Sequence, residues 1–82
     1  MSKSKKYDLS IRVITTTNGK NCYEYPKKTW HNTLEETKEK LNSLSKVYGK
    51  RYGDCENLVL NYSICLGGKP ENFVESGYIM VI

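Results

Sequence analysis

The residues able to do chemistry in this chain are few and scattered: one histidine, His31, three cysteines, Cys22, Cys55 and Cys65, and an acidic pair, Asp54 and Glu56. Structural zinc is held by ligands in close pairs, such as C-x-x-C or H-x-x-x-H. That spacing is missing, so neither a metal nor another cofactor is expected. Cys55 lies between the two acids, whose negative charge disfavours a thiolate nucleophile. Cys22 and Cys65 fall in predicted strands, where a reduced cysteine behaves as a small buried hydrophobe. His31, between Trp30 and a predicted helix cap, reads as a loop residue and not as a general base.

Two further segments invite a ligand. "SICLGGKP" resembles a phosphate loop only in its Gly-Lys, because Ser63 stands where the pattern needs a glycine and Pro70 where it needs Ser or Thr. It is a hairpin turn. "VYGKRYGDC" interleaves Tyr48 and Tyr52 with Lys50 and Arg51, a combination of rings for stacking and cations for phosphate that suits single-stranded nucleic acid. Lys27, Lys28 and Trp30 form a second cluster of this kind. The first does not match the aromatic spacing of an RRM sheet, and a helix C-cap with its loop also accounts for it.

Elements must hold these residues, and 82 residues allow one domain with a small core. The boundaries read as a flexible basic tail over 1–6 and a single domain over 7–82. "YDLSIRVITTT" alternates, placing Tyr7, Leu9, Ile11 and Val13 on one face. Asn18-Gly19 signals a tight hairpin, and "CYEYPKKTW" returns as the second strand. Two registers are open. A two-residue turn pairs Val13 with Glu24, whereas a three-residue loop with a bulge shifts Tyr23 and Tyr25 to the core face. The bulged form is preferred because it buries two rings instead of a carboxylate. Pro26 marks an edge strand or its end.

The segment 31–50 holds the one helix, its start marked by Thr33, with Glu36 completing a capping box. Its apolar stripe is Leu34, Leu41, Leu44, Val47 and Tyr48, and Gly49 is the expected stop. "NLVLNYSICL" alternates again, "GGKPEN" turns, and "FVESGYIMVI" is the last strand. The expectation is an α+β fold: one four-stranded antiparallel sheet in ββαββ order, with the helix on one face. The other face, carrying Ile14, Val59, Cys65 and half of the last strand, is left for water or a partner.

The formal charge is +4. Lys3, Lys5 and Lys6 account for most of it, since removing them from 13 basic residues leaves ten against nine acidic ones. The body is thus nearly neutral, unlike a typical nucleic-acid footprint. The N-terminus has no apolar signal core, and no run approaches the roughly 18 residues of a membrane span. A soluble, cytoplasmic protein without a membrane partner is expected.

Seven tyrosines and a tryptophan on a hydrophilic chain, with a mean hydropathy of -0.64, point to a binding surface, because Tyr and Trp give large contact area at low entropic cost. In size and Lys/Asn/Tyr-rich composition the chain is similar to the small inhibitors that phages and mobile elements make against host defence enzymes, anti-CRISPR proteins among them. This likeness is one of general character and assigns no residue; it implies a non-enzymatic inhibitor that blocks a functional surface of a larger protein. The expected partner-binding residues are Tyr25, Lys27, Lys28, Trp30, Lys50, Arg51, Tyr52, Tyr78 and Met80. Nucleic acid is the alternative partner, a sponge for a signalling nucleotide at a dimer interface is a third reading, and the last strand at a sheet edge admits a homodimer.

Overall fold

A computed structural model describes residues 6–82. The basic tail expected over 1–6 lies, apart from Lys6, outside the described residues. The elements are β1 (Tyr7–Thr17), β2 (Lys20–Glu24), β3 (Thr29–His31), α1 (Leu34–Arg51), β4 (Asn57–Leu66) and β5 (Lys69–Met80). All the strands belong to one antiparallel sheet in the order β2-β1-β4-β5, with β3 also pairing with β1. The α+β class, the single helix and the antiparallel sheet agree with the sequence reading; the order is βββαββ and not ββαββ, so the sheet has five strands and not four. "CYEYPKKTW" is not one strand, because Pro26 cannot donate to the ladder. The chain leaves β1 after Glu24 and rejoins it at Thr29, opposite Leu9. His31 is therefore a strand residue, opposite Tyr7.

The first hairpin overturns the bulged register. Asn18 and Gly19 take positive φ, 54° and 76°, the signature of a two-residue type I′ turn. Thr17 then pairs with Lys20 and Val13 with Glu24. This turn is held from outside by the Glu56 carboxylate, which accepts from the Asn18 and Gly19 amides at 3.2 and 3.4 Å. Glu24 does face the helix side, but it is not an unsatisfied carboxylate there. It accepts from the Tyr52 hydroxyl and lies 3.5 Å from Arg51.

The capping box forms: the Glu36 amide donates to Thr33 Oγ1 at 3.0 Å, and the Glu36 carboxylate accepts from the Asn32 amide. The helix does not stop at Gly49 but continues to Arg51, with Tyr52 as its cap. Gly49 answers a packing demand instead, since a Cβ there would stand 3.1 Å from Val81 Cγ1. The buried stripe is Thr37, Leu41 and Tyr48, with Leu34 and Leu44 packed beside it. Val47 is about half exposed, at 49%, and so falls off the stripe. Thr37 fits in the core because its hydroxyl donates to the Thr33 carbonyl at 2.8 Å, leaving no polar group unmet.

Leu9, Ile11 and Val13 of β1 join Leu58, Leu60 and Ile64 of β4 beneath the helix. The last hairpin turns at Gly67-Gly68 alone, so β5 begins at Lys69, earlier than expected, and passes a bulge opposite Cys65. The cysteines are free. Cys65 is half-buried, but Cys22 is exposed: it pairs with Thr15 near the hairpin tip, out beyond the end of α1. Cys55 is the one that packs against the core, its thiol donating to the Tyr52 carbonyl at 2.9 Å. Among the described residues no helix is long and apolar enough to cross a membrane.

Candidate functional site

Alternation along a strand sends neighbouring side chains to opposite faces, and the pairing register carries that division across the sheet. Leu60 faces the helix, and with it Val13 and Ile79. The opposite face collects Ile14 and its partners Tyr23 and Val59, then Asn61 with Tyr78, Val59 with Met80, and Cys65 with Phe73. Trp30, opposite Asp8, joins the same face. Tyr23, Trp30, Phe73, Tyr78 and Met80 are all exposed. Tyr25 and Ile82, just beyond the strands, are exposed as well. Large apolar groups are thus concentrated where no element among the described residues covers them.

The cations of this face lie against its rings. Arg12 sits over Tyr23 at 5.7 Å, and Lys28 over Trp30 at the same distance. Asp8, a strand carboxylate of this face, is buried and already engaged: it accepts from the Gly68 amide at 2.8 Å and lies 3.8 Å from Lys28 Nζ. Asp8 thereby ties β1 to the β4–β5 turn. The sequence presents it as an outward polar residue of an alternating strand, and only the arrival of Gly68 from sixty residues away encloses it. Arg12, over the Tyr23 ring, is a second cation of the face.

The expected site residues therefore separate. Tyr25, Lys28, Trp30, Tyr78 and Met80 share the open side with Tyr23, Phe73 and Arg12, which the sequence reading missed. Tyr23 was assigned to the core by the wrong register, and Phe73 was counted only as the start of a strand. Lys27 is exposed in the segment joining β2 to β3. Lys50, Arg51 and Tyr52 belong to the end of the helix, on the other side of the sheet. Tyr52 stacks on Tyr48 at 6.1 Å, with its hydroxyl on Glu24, and Arg51 is shared between Glu24 and the Tyr48 ring. Both side chains are thus engaged within the fold, while Lys50 and Arg51 stay exposed.

Gly68 joins the face to the fold. Its φ of 74° suits glycine, and a Cβ would come within 2.8 Å of the Trp30 ring. Gly68→Ala should cost about 2 kcal/mol, from the left-handed backbone and the displaced ring together. Trp30 is the only tryptophan, so its emission should shift red in the folded variant while urea unfolding measures the loss.

On the helix side, hydrogen bonding and burial shift the titration of three tyrosines. Tyr52 and Tyr62 are raised above the ordinary value near 10, each first by the hydrogen bond to a carboxylate, Glu24 and Glu75 respectively. Tyr48 is raised chiefly by burial. Glu75 is lowered by Lys38, 3.0 Å away, and then by Tyr62. A raised tyrosine contributes stability that is whole below pH 10 and is lost as pH rises through its folded value; a lowered carboxylate contributes stability that is lost on acidification below about pH 4.5. Urea midpoints should hold level between these limits and fall outside them. Tyr52→Phe combined with Tyr62→Phe should flatten the alkaline fall.

A groove of about 510 Å³ runs beside β5, lined by Lys38, Leu41, Tyr62, Glu75 and Ile79 among others, because α1 packs over β1, β3 and β4 and stops short of the last strand. Among the described residues no three of His, Cys, Asp and Glu converge as metal ligands. Compared with protein-family models, curated proteins and solved structures, the chain gives no match.

Proposed function

We propose that this chain is a non-enzymatic protein-binding module whose open sheet face covers a functional surface of a larger protein and inhibits it. One observation carries the reading: the exposed rings and long apolar side chains, Tyr23, Trp30, Phe73, Tyr78 and Met80, occupy one face of one sheet. Exposed apolar area of this kind, with aromatic anchors and few charges, is the composition of an interface centre. Arg12 and Lys28 give it a positive bias, so the matching surface is apolar with acidic groups. An anti-defence inhibitor of the kind made by phages, working in the host cytoplasm, fits this description.

The pairs Arg12–Tyr23 and Lys28–Trp30 favour nucleic acid as the second reading, since stacked rings beside cations also grip single strands. Capture from lysate of the cells that express the chain, with and without nuclease and across a salt series, separates the two. One defined protein, retained after nuclease and little affected by moderate salt, is the expected outcome. Loss of all partners on nuclease treatment, with steep loss of binding as salt rises, would replace the inhibitor reading with the nucleic-acid one.

A further inference from the structure

The two edges of this sheet are built differently. On one side the edge is broken into β2 and β3, with Pro26, Lys27 and Lys28 between them, the devices that keep an edge from pairing with another chain. On the other side β5 spans Lys69 to Met80, its irregular part confined to residues before Glu75 and its pairing regular from Glu75 to Met80, and its outer side bonds to no strand among the described residues. From Ser76 to Met80 it carries no charge and no proline. Its nearest carboxylate, Glu75, is held within its own chain by Lys38 and the Tyr62 hydroxyl.

The ladder also tells which β5 groups point outward. The Val81 amide donates to the Leu58 carbonyl at 2.8 Å, so in the same register Ile79 and Gly77 turn their backbone groups toward β4. Ser76, Tyr78 and Met80 then present theirs to the outside. The far side of β4 agrees: the Gly67 amide donates to the Lys6 carbonyl, so odd residues of β4 bond β1 and even residues bond β5.

From this edge we infer that the chain forms a two-fold symmetric dimer by antiparallel pairing of β5 with β5 of a second copy, centred on Tyr78. In this register Tyr78 exchanges both hydrogen bonds with its counterpart, and Ser76 of each copy pairs with Met80 of the other. Centring on Ser76 would draw Glu71 and Pro70 into the ladder, and centring on Met80 would carry the pairing past the end of the strand. The Tyr78 register sets a neutral edge against a neutral edge, which charge-bearing partner strands would not match. It joins the two sheets into one, doubles the open face, and brings the two grooves beside β5 together between the helices. The inference goes beyond the proposed function and holds whatever the open face binds.

Sedimentation equilibrium over a wide concentration range, with amide exchange by NMR, tests it. The expected result is twice the chain mass at high concentration, returning to a single mass on dilution, with slowed exchange at Ser76, Tyr78 and Met80 only in the dimer. Ser76→Pro removes an outward amide and no bond to β4. It should weaken dimerisation about 30-fold, because two symmetry-related hydrogen bonds are lost at once, and leave the circular dichroism unchanged. Should that variant misfold, the exchange pattern of the unmodified chain decides alone. A single chain mass even at millimolar concentration would overturn the inference, and so would a dimer whose Ser76, Tyr78 and Met80 amides exchange as fast as open ones.

Discussion

Leu60→Ala should lower the unfolding free energy by about 3 kcal/mol, within the range for a leucine deleted from a well-packed core. Leu60 is fully buried at the middle of β4, with Val13 on one side and Ile79 on the other. It is the point where β1, β4 and β5 share one apolar layer on the helix side of the sheet. A chain of 82 residues has a total stability of roughly 4–12 kcal/mol by the per-residue rule, so this one substitution takes a large part of it. Val47→Ala is the contrasting change. Val47 lies at a helical spacing that looks apolar but is about half exposed, so its loss should stay within about 0.5 kcal/mol. Urea unfolding of the two variants side by side checks the packing: equal losses would mean that the helix is rotated from the orientation described.

The contrast also shows how far local pattern reaches in this chain. The alternation of β1 and β4, the Thr33 cap and the Asn18-Gly19 turn are decided by neighbours in sequence, and all were legible. The hairpin register was not, because the choice weighed Glu24 as a carboxylate with no partner. Its partners, Tyr52 and Arg51, arrive from the far end of the helix. Gly49 misled for a similar reason. A glycine near a helix end signals a stop, but here it admits Val81, which sequence proximity cannot reveal. Cys22 shows the limit of face assignment: it lies on the helix side of its strand and remains exposed because α1 ends before reaching it.

The same dependence on long-range pairing governs the candidate face. Tyr78 and Met80 could be assigned outward from alternation in the last strand, and both are exposed. Tyr23 could not, since its side followed from the register. Arg51 and Tyr52 were legible as a cation beside a ring, but the Glu24 and Tyr48 that they meet were not. On the open face the rings meet cations instead, Tyr23 under Arg12 and Trp30 under Lys28.

Met80→Asp should therefore leave the fold intact and weaken target binding by about 30-fold or more, the loss expected when an interface anchor is removed and a charge is buried in its place. Met80 is 73% exposed, so folding stability should change by no more than about 0.5 kcal/mol. Because Met80 also belongs to the β5 edge, a second substitution on the same face is needed to show that the face itself binds. Tyr23→Asp serves, since β2 lies on the opposite side of the sheet from β5. It should weaken binding comparably without altering the chain's mass in solution. Lys46→Glu, on the exposed surface of the helix, should do neither. Titration calorimetry or surface-immobilised binding with the captured target distinguishes the cases. If Met80→Asp alone impairs binding, the target reads only the β5 edge or the dimer it builds. If neither strand variant matters while Lys46→Glu does, the functional surface is the helix, and the exposed rings need another explanation. Loss with both Met80→Asp and Tyr23→Asp is the outcome that a single continuous face requires, because the two residues share no element and have only the open side of the sheet in common.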